Sequence, residues 1–145
     1  MDRRLISFNG RIKFMIAEKE IKELVKAATK TRKNAYAPYS EFKVGAAVLS
    51  IDGRVFSGCN VENAAYSPSV CAERIAIGNA VSQGVKKFKA LAVVSENQST
   101  PCGVCRQVIF EFVKDRGFPV LLADVKGDYK VVMLGELFPS PFELK

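Results

Sequence analysis

Histidine and tryptophan are both missing from these 145 residues, and cysteine occurs only four times. The first absence excludes an imidazole from any catalytic or metal-binding role. Long apolar runs are missing as well, and none approaches the ~20 residues that a membrane-spanning helix needs. There are no internal repeats, no low-complexity segments and no linker long enough to divide the chain. Residues 1–145 are therefore expected to form a single domain, and 48% hydrophobic content is ample for one packed core. No secretory signal is evident, so the four cysteines are expected in a reducing, cytoplasmic compartment, where their spacing favours metal over disulfides. Met1 to Met15 carries Arg3, Arg4, Arg11 and Lys13 against Asp2 alone. That stretch is short and not serine-rich for a transit peptide, and residues 1–16 are left as an extension without an assigned role.

Basic residues outnumber acidic ones by 22 to 15, a formal net charge of +7. Such an excess can mark a nucleic-acid binder, but only when it is gathered into a patch. Here the lysines are spread over 13–33, 86–89 and 126–130 rather than forming one block with interleaved aromatics. A solvated surface is the expectation, with no nucleic-acid partner and no membrane.

What is present is concentrated. Three of the four cysteines fall in Cys71-Ala72-Glu73-Arg74 and Pro101-Cys102-Gly103-Val104-Cys105. A Cys-x-x-Cys pair plus one distant Cys supplies three thiolates to a tetrahedral zinc and leaves the fourth position open, the arrangement of a catalytic site. Cys59 would close that position in a structural four-cysteine site. Its place in the strand pattern Val55, Ser57, Cys59, Val61 reads instead as a small buried hydrophobe. Glu73, two residues after the first Cys, is placed for general acid–base work beside the open position; alone, it would read as a glutamate complementing a helix dipole. Three thiolates make the zinc–ligand set formally negative, and Arg74 can offset this by donating to the ligand sulfurs. Otherwise it is a surface arginine.

The remaining chain supplies a frame. Ala17, Ile21, Leu24, Val25 and Ala28 fall on one face of a helix over 17–34. Two strands, 42–50 and 54–62, are joined through Ile51-Asp52-Gly53 as an antiparallel hairpin. Gly45-Ala46-Ala47 in the first of them implies close packing, a core helix being the ordinary cause. Asn60, Glu62 and Asn63 at the end of the second are either surface loop or bonded to something. Ser67 or Ser69 is expected to cap a helix running to about Gln83, with Cys71 and Glu73 in its first turn. A buried strand over 88–95 follows, then a helix over 102–115 with Val104, Val108, Ile109 and Phe112 inward. Strands over 118–125 and 129–134 form a last antiparallel pair. The order α-β-β-α-β-α-β-β predicts a three-layer α/β/α fold, helices covering a mixed sheet of about five strands. Both cysteine segments then lie at helix N-termini, where the local positive potential favours thiolate.

Cys-Ala-Glu-Arg with Pro-Cys-Gly-x-Cys-Arg-Gln resembles the zinc-dependent cytidine deaminases, the small homotetrameric class with three cysteine ligands. The likeness extends through Tyr39-Ser40-x-Phe42-x-Val44-Gly45-Ala46-Ala47, Gly58-Cys59-Asn60-Val61-Glu62-Asn63-Ala64 and Leu137-Phe138-Pro139-Ser140-Pro141-Phe142. It implies one zinc per subunit on Cys71, Cys102 and Cys105, and hydrolytic deamination of cytidine and deoxycytidine to uridine and deoxyuridine plus ammonia, as in pyrimidine salvage. Glu73 would carry protons to N3 of the base and to the departing ammonia. Asn60 and Glu62 match a pair that holds the ribose 3′-hydroxyl, Phe42 an aromatic on the base, and the Ala72 N–H a donor to the base carbonyl. Arg74 matches an arginine bonded to the thiolates. Tyr66 and Phe142 match residues contributed across subunit interfaces, so the resemblance implies a homotetramer with its active sites between subunits.

Overall fold

In a computed structural model the protein is described over residues 3–8 and 11–145, as backbone alone up to residue 15. Five strands form the central sheet: β3 (Gly45–Ser50), β4 (Val55–Cys59), β5 (Phe88–Val94), β6 (Pro119–Ala123) and β7 (Tyr129–Met133), in the order β4-β3-β5-β6-β7. All pairs are antiparallel except β5–β6, which is parallel and bridged by the helix α3 (Gly103–Val113). This is the expected mixed sheet, and the Asp52-Gly53 turn between β3 and β4 has Gly53 at φ 91°, where a side chain would be strained.

Helix α1 (Glu18–Arg32) covers one face of the sheet. Its Ile21, Leu24, Val25 and Ala28 pack with Ala47, Leu49, Ala92 and Leu121, and each large aliphatic side chain so buried contributes roughly 1.5–3 kcal/mol. Helices α2 (Ala72–Ser82) and α3 cover the other face, where Ile77 and Ile109 meet Leu91, Val93 and Val120. Between these layers β5 is the doubly covered strand that its apolar run predicts, fully buried from Ala90 to Val94.

Glycine sets how closely the layers approach. A Cβ on Gly45 would lie 2.0 Å from the Ala28 carbonyl oxygen of α1, and one on Gly58 would lie 2.5 Å from the Ala76 nitrogen of α2. Close helix packing is therefore the cause of the small residues in these strands.

Four expectations need correction. The stretch before α1, for which no element was expected, forms β1 (Arg3–Phe8) and β2 (Arg11–Ala17), an antiparallel pair outside the main sheet. In the sequence, Asn9-Gly10 flanked by apolar residues is a signal for such a pair. Cys71 itself, not Ser67 or Ser69, occupies the N-cap of α2; the Ser69 hydroxyl accepts the Asn63 N–H instead. The inward face of α3 is turned, with Val104 58% exposed while Cys105, Ile109 and Phe110 are buried. The tail after β7 begins with a short helix, α4 (Leu134–Leu137).

Candidate active site

Strand directions bring the cysteines together. β4 and β5 both run antiparallel to β3 and therefore parallel to each other, and Gly45 of β3 faces Cys59 at the end of one and Val94 at the end of the other. Both strands thus exit on the same side of the sheet, and each leads through a loop to a helix start, α2 at Cys71 and α3 at Cys102. Two N-cap cysteines and Cys105, one turn into α3, converge there.

The three sulfurs lie within 4.8 Å of one another, with Cys71 Sγ and Cys102 Sγ 3.8 Å apart. That is far beyond a disulfide bond of ~2.05 Å. A zinc at ~2.3 Å from each of two tetrahedral ligands would hold their sulfurs about 3.8 Å apart. Donor set and spacing both fit zinc. Cys59 is half-buried in β4 and does not belong to the group.

Two side chains close around the sulfurs. The Arg74 guanidinium donates to Cys71 Sγ at 3.6 Å, and its Nε is buried without a partner among the described residues. Glu73 is only 4% exposed, and its Oε2 lies 3.8 Å from Cys105 Sγ. Burial pushes the Glu73 carboxyl up to about 7, with the Cys71 charge adding to it. The Cys71 thiol is pulled down to about 5, chiefly by the hydrogen bond from Cys105 and then by Arg74 and Cys102. Cys105 is pushed up, first by that same hydrogen bond and then by burial and the Glu73 charge. Zinc binds cysteine as thiolate, so a dication held by these three sulfurs would displace the protons they carry. Ala72, the first residue of α2, offers an N–H that needs no acceptor within its helix.

A cleft of 340 Å³ is lined by Tyr39, Ser40, Glu62, Asn63, Tyr66 and Ser69. Glu62 is bonded and not a stray loop residue: its Oε1 accepts the N–H groups of Tyr39 at 3.0 Å and Ser40 at 3.1 Å, and its Oε2 accepts the Ser40 hydroxyl. Those bonds, the hydroxyl first, hold its carboxyl below the usual range. Asn60 ties the end of β4 to the segment leading into β3. Its Oδ1 accepts from the Val44 N–H at 2.9 Å and its Nδ2 donates to the Phe42 carbonyl at 2.8 Å, so Phe42 is fixed through its backbone. One lone pair and one N–H of the Asn60 amide remain for another partner.

Tyr66, at the rim of the cleft, and Phe142 are far more open, 78% and 67% exposed. Tyr66 is held at φ 58°, an uncommon conformation for a large side chain. Phe142 is tied by its backbone to Gln107. Ser40, Arg106 and Gln107 carry no role predicted from the sequence, yet each makes bonds that shape the site or the tail. Their signal was position: polar residues directly beside expected site residues.

The cytidine and deoxycytidylate deaminase zinc-binding region matches residues 18–119. The cytidine deaminase of Sporosarcina psychrophila is 48% identical over 125 residues, covering 85% of this chain and 91% of its own. A crystal structure of cytidine deaminase from Burkholderia pseudomallei superposes with a TM-score of 0.79 at 45% identity, over 88% of this chain and all of that one. Cytidine deaminase from Mycobacterium tuberculosis superposes at 0.75 with 38% identity, over 89% and 100%. The chain belongs to the cytidine and deoxycytidylate deaminase family.

Proposed function

We propose that this member of the family is a hydrolase that converts cytidine and deoxycytidine, with water, to uridine and deoxyuridine plus ammonia. The observation that carries the reading is the three-sulfur group with a buried glutamate 3.8 Å from one of its sulfurs. Cys71, Cys102 and Cys105 would hold one zinc, which when bound supplies a Lewis acid that lowers the pKa of a water molecule.

The chain's own residues do the rest. Glu73, with a carboxyl that titrates at about 7, takes a proton from water and gives it to N3 of the base; it then takes the remaining proton of the added hydroxyl, as that oxygen becomes the carbonyl, and passes it to the departing amino nitrogen. This proton path belongs to zinc deaminases as a class. What supports it here is burial strong enough to let the carboxyl carry a proton at neutral pH. Arg74 draws charge from the sulfurs and keeps three thiolates compatible with that task. The Ala72 N–H bonds the base carbonyl, and Phe42, Asn60 and Glu62 hold the nucleoside by its base and its 3′-hydroxyl.

Exposed aromatics support a second part of the reading. Tyr66 and Phe142 would be covered by a second copy of the chain, with Phe142 stacking on that copy's substrate in a homotetramer. No helix among the described residues is long and apolar enough to cross a membrane. Four free thiols support placement in the reducing cytoplasm, with a role in salvaging pyrimidine nucleosides.

Loss of cytidine absorbance, followed together with metal analysis of the same sample, tests this. Cytidine and deoxycytidine are expected to react with one zinc per chain, and an oligonucleotide, whose 3′-oxygens are esterified, is not. Ammonia released from the oligonucleotide and not from the nucleosides would overturn the reading. Cys59→Ala is expected to retain zinc; its loss would revive a non-catalytic four-cysteine site.

A further inference from the structure

The last residues of the chain have no regular structure after α4, yet side chains from α3 and the turn beyond it hold them firmly. The Arg106 guanidinium donates to the carbonyls of Leu137 and Pro101, and Arg116 donates to the carbonyl of Pro139 at 2.7 Å. The third hold is of a different kind. Gln107 Oε1 accepts the Phe142 N–H at 3.1 Å, while Gln107 Nε2 donates to the Phe142 carbonyl at 2.9 Å.

One side-chain amide thus satisfies both backbone groups of one residue, the pairing that a neighbouring strand would otherwise offer. Phe142 gains the backbone of a strand residue without a strand beside it. Its Cα–Cβ direction is set, while its ring projects 67% exposed. A flexible tail would have to order that ring each time it met a partner, at a cost in backbone conformational entropy. Gln107 settles that ordering before the encounter. It also stands on the same turn of α3 as Cys105, so a single helix turn both carries a sulfur of the metal group and aims the ring.

We propose that Gln107 is a positioning residue: by gripping the backbone of Phe142 it fixes where that ring meets the nucleoside bound by a second copy of this chain. The inference rests on the reading that Phe142 reaches a neighbour's substrate. A contact with the base that is the same in the bound and the reacting state affects KM and leaves kcat nearly unchanged.

Steady-state kinetics with cytidine on Gln107→Ala, Gln107→Glu, Phe142→Ala and the Gln107→Ala/Phe142→Ala double variant provide the test, with zinc content and sedimentation measured for each. Gln107→Ala is expected to raise KM about tenfold, a part of one aromatic–base contact, with kcat within about twofold and zinc and assembly unchanged. Gln107→Glu keeps the acceptor for the Phe142 N–H but loses the donor, and its KM should fall between the two. The double variant should be no worse than Phe142→Ala alone, because the grip has no purpose without the ring. A Gln107→Ala KM equal to that of the parent, with Phe142→Ala impaired, would overturn the role of Gln107 alone. Effects that multiply in the double variant, or zinc lost from Gln107→Ala, would overturn it too, by making Gln107 a brace for α3. An unchanged KM in Phe142→Ala would sink the premise itself.

Discussion

Glu62 and Glu73 lie in one continuous stretch of chain, on either side of the loop into α2, and the fold pushes their carboxyl groups in opposite directions. Glu73 is sealed under the sulfur group, and burial raises it to about 7. Glu62 sits at an open cleft, where the Ser40 hydroxyl and two backbone N–H groups lower it. Surroundings alone separate them, since the side chains are identical. In the function we propose, the first is free to exchange protons at neutral pH and the second keeps its charge and accepts hydrogen bonds from a sugar. Placing two glutamates in unlike environments is how one site obtains a proton carrier and a fixed acceptor from the same residue type.

That contrast breaks most visibly at Glu73. Glu73→Gln preserves shape and removes only the exchangeable proton, so kcat for cytidine should fall by about 10³-fold or more while zinc content stays at the parent's level. Turnover within tenfold of the parent would remove Glu73 from the proton path.

A second test reads the same carboxyl through stability. A carboxyl whose pKa is raised on folding binds its proton more tightly in the folded state. Its contribution to stability is therefore fullest below the unfolded value of 4.5 and is lost as pH rises through about 7. After chelation of the metal, Glu73→Gln and parent should unfold alike near pH 4. Above pH 8 the variant should be the more stable by up to ~3 kcal/mol in urea titrations. Parallel stability curves across that range would show that burial does not penalise this charge.

At the open cleft the expected losses are smaller and fall on binding. Glu62→Ala should raise KM for cytidine by about 50-fold, since a site built to hydrogen-bond a hydroxyl suffers when its acceptor is gone. An unaltered KM would move the sugar elsewhere. Ser40→Ala removes the largest influence on Glu62 but leaves its two backbone donors. It should raise KM only about threefold, and a loss as large as that of Glu62→Ala would show that Ser40 itself meets the nucleoside.

How much of this was legible in the sequence depends on how local the cause is. The Cys102–Cys105 spacing, the Asp52-Gly53 turn and the apolar face of α1 depend on a few neighbouring residues, and all three were readable. Asn9-Gly10 is a local signal of the same kind. The phase of α3 is not legible from its apolar residues alone, because Cys105, a polar ligand shielded by Glu73, takes part of the inward face. The N-cap of α2 was misplaced because Ser69 has a competing partner in Asn63, which is a contact between two sides of a loop.

By itself the sequence determined three thiols with metal-ligand spacing, the order of the elements and the residues that match the deaminase family. Only the tertiary structure decided that β4 and β5 leave the same edge of the sheet on either side of Gly45, which brings Cys71 to the other two sulfurs. It alone decided which glutamate is sealed and which is left open, and it alone set Gln107 against Phe142. The physical reason is common to all of these. Spacing acts through the geometry of one turn, whereas burial and hydrogen-bond pairing are sums over neighbours that chain folding brings in from far along the sequence.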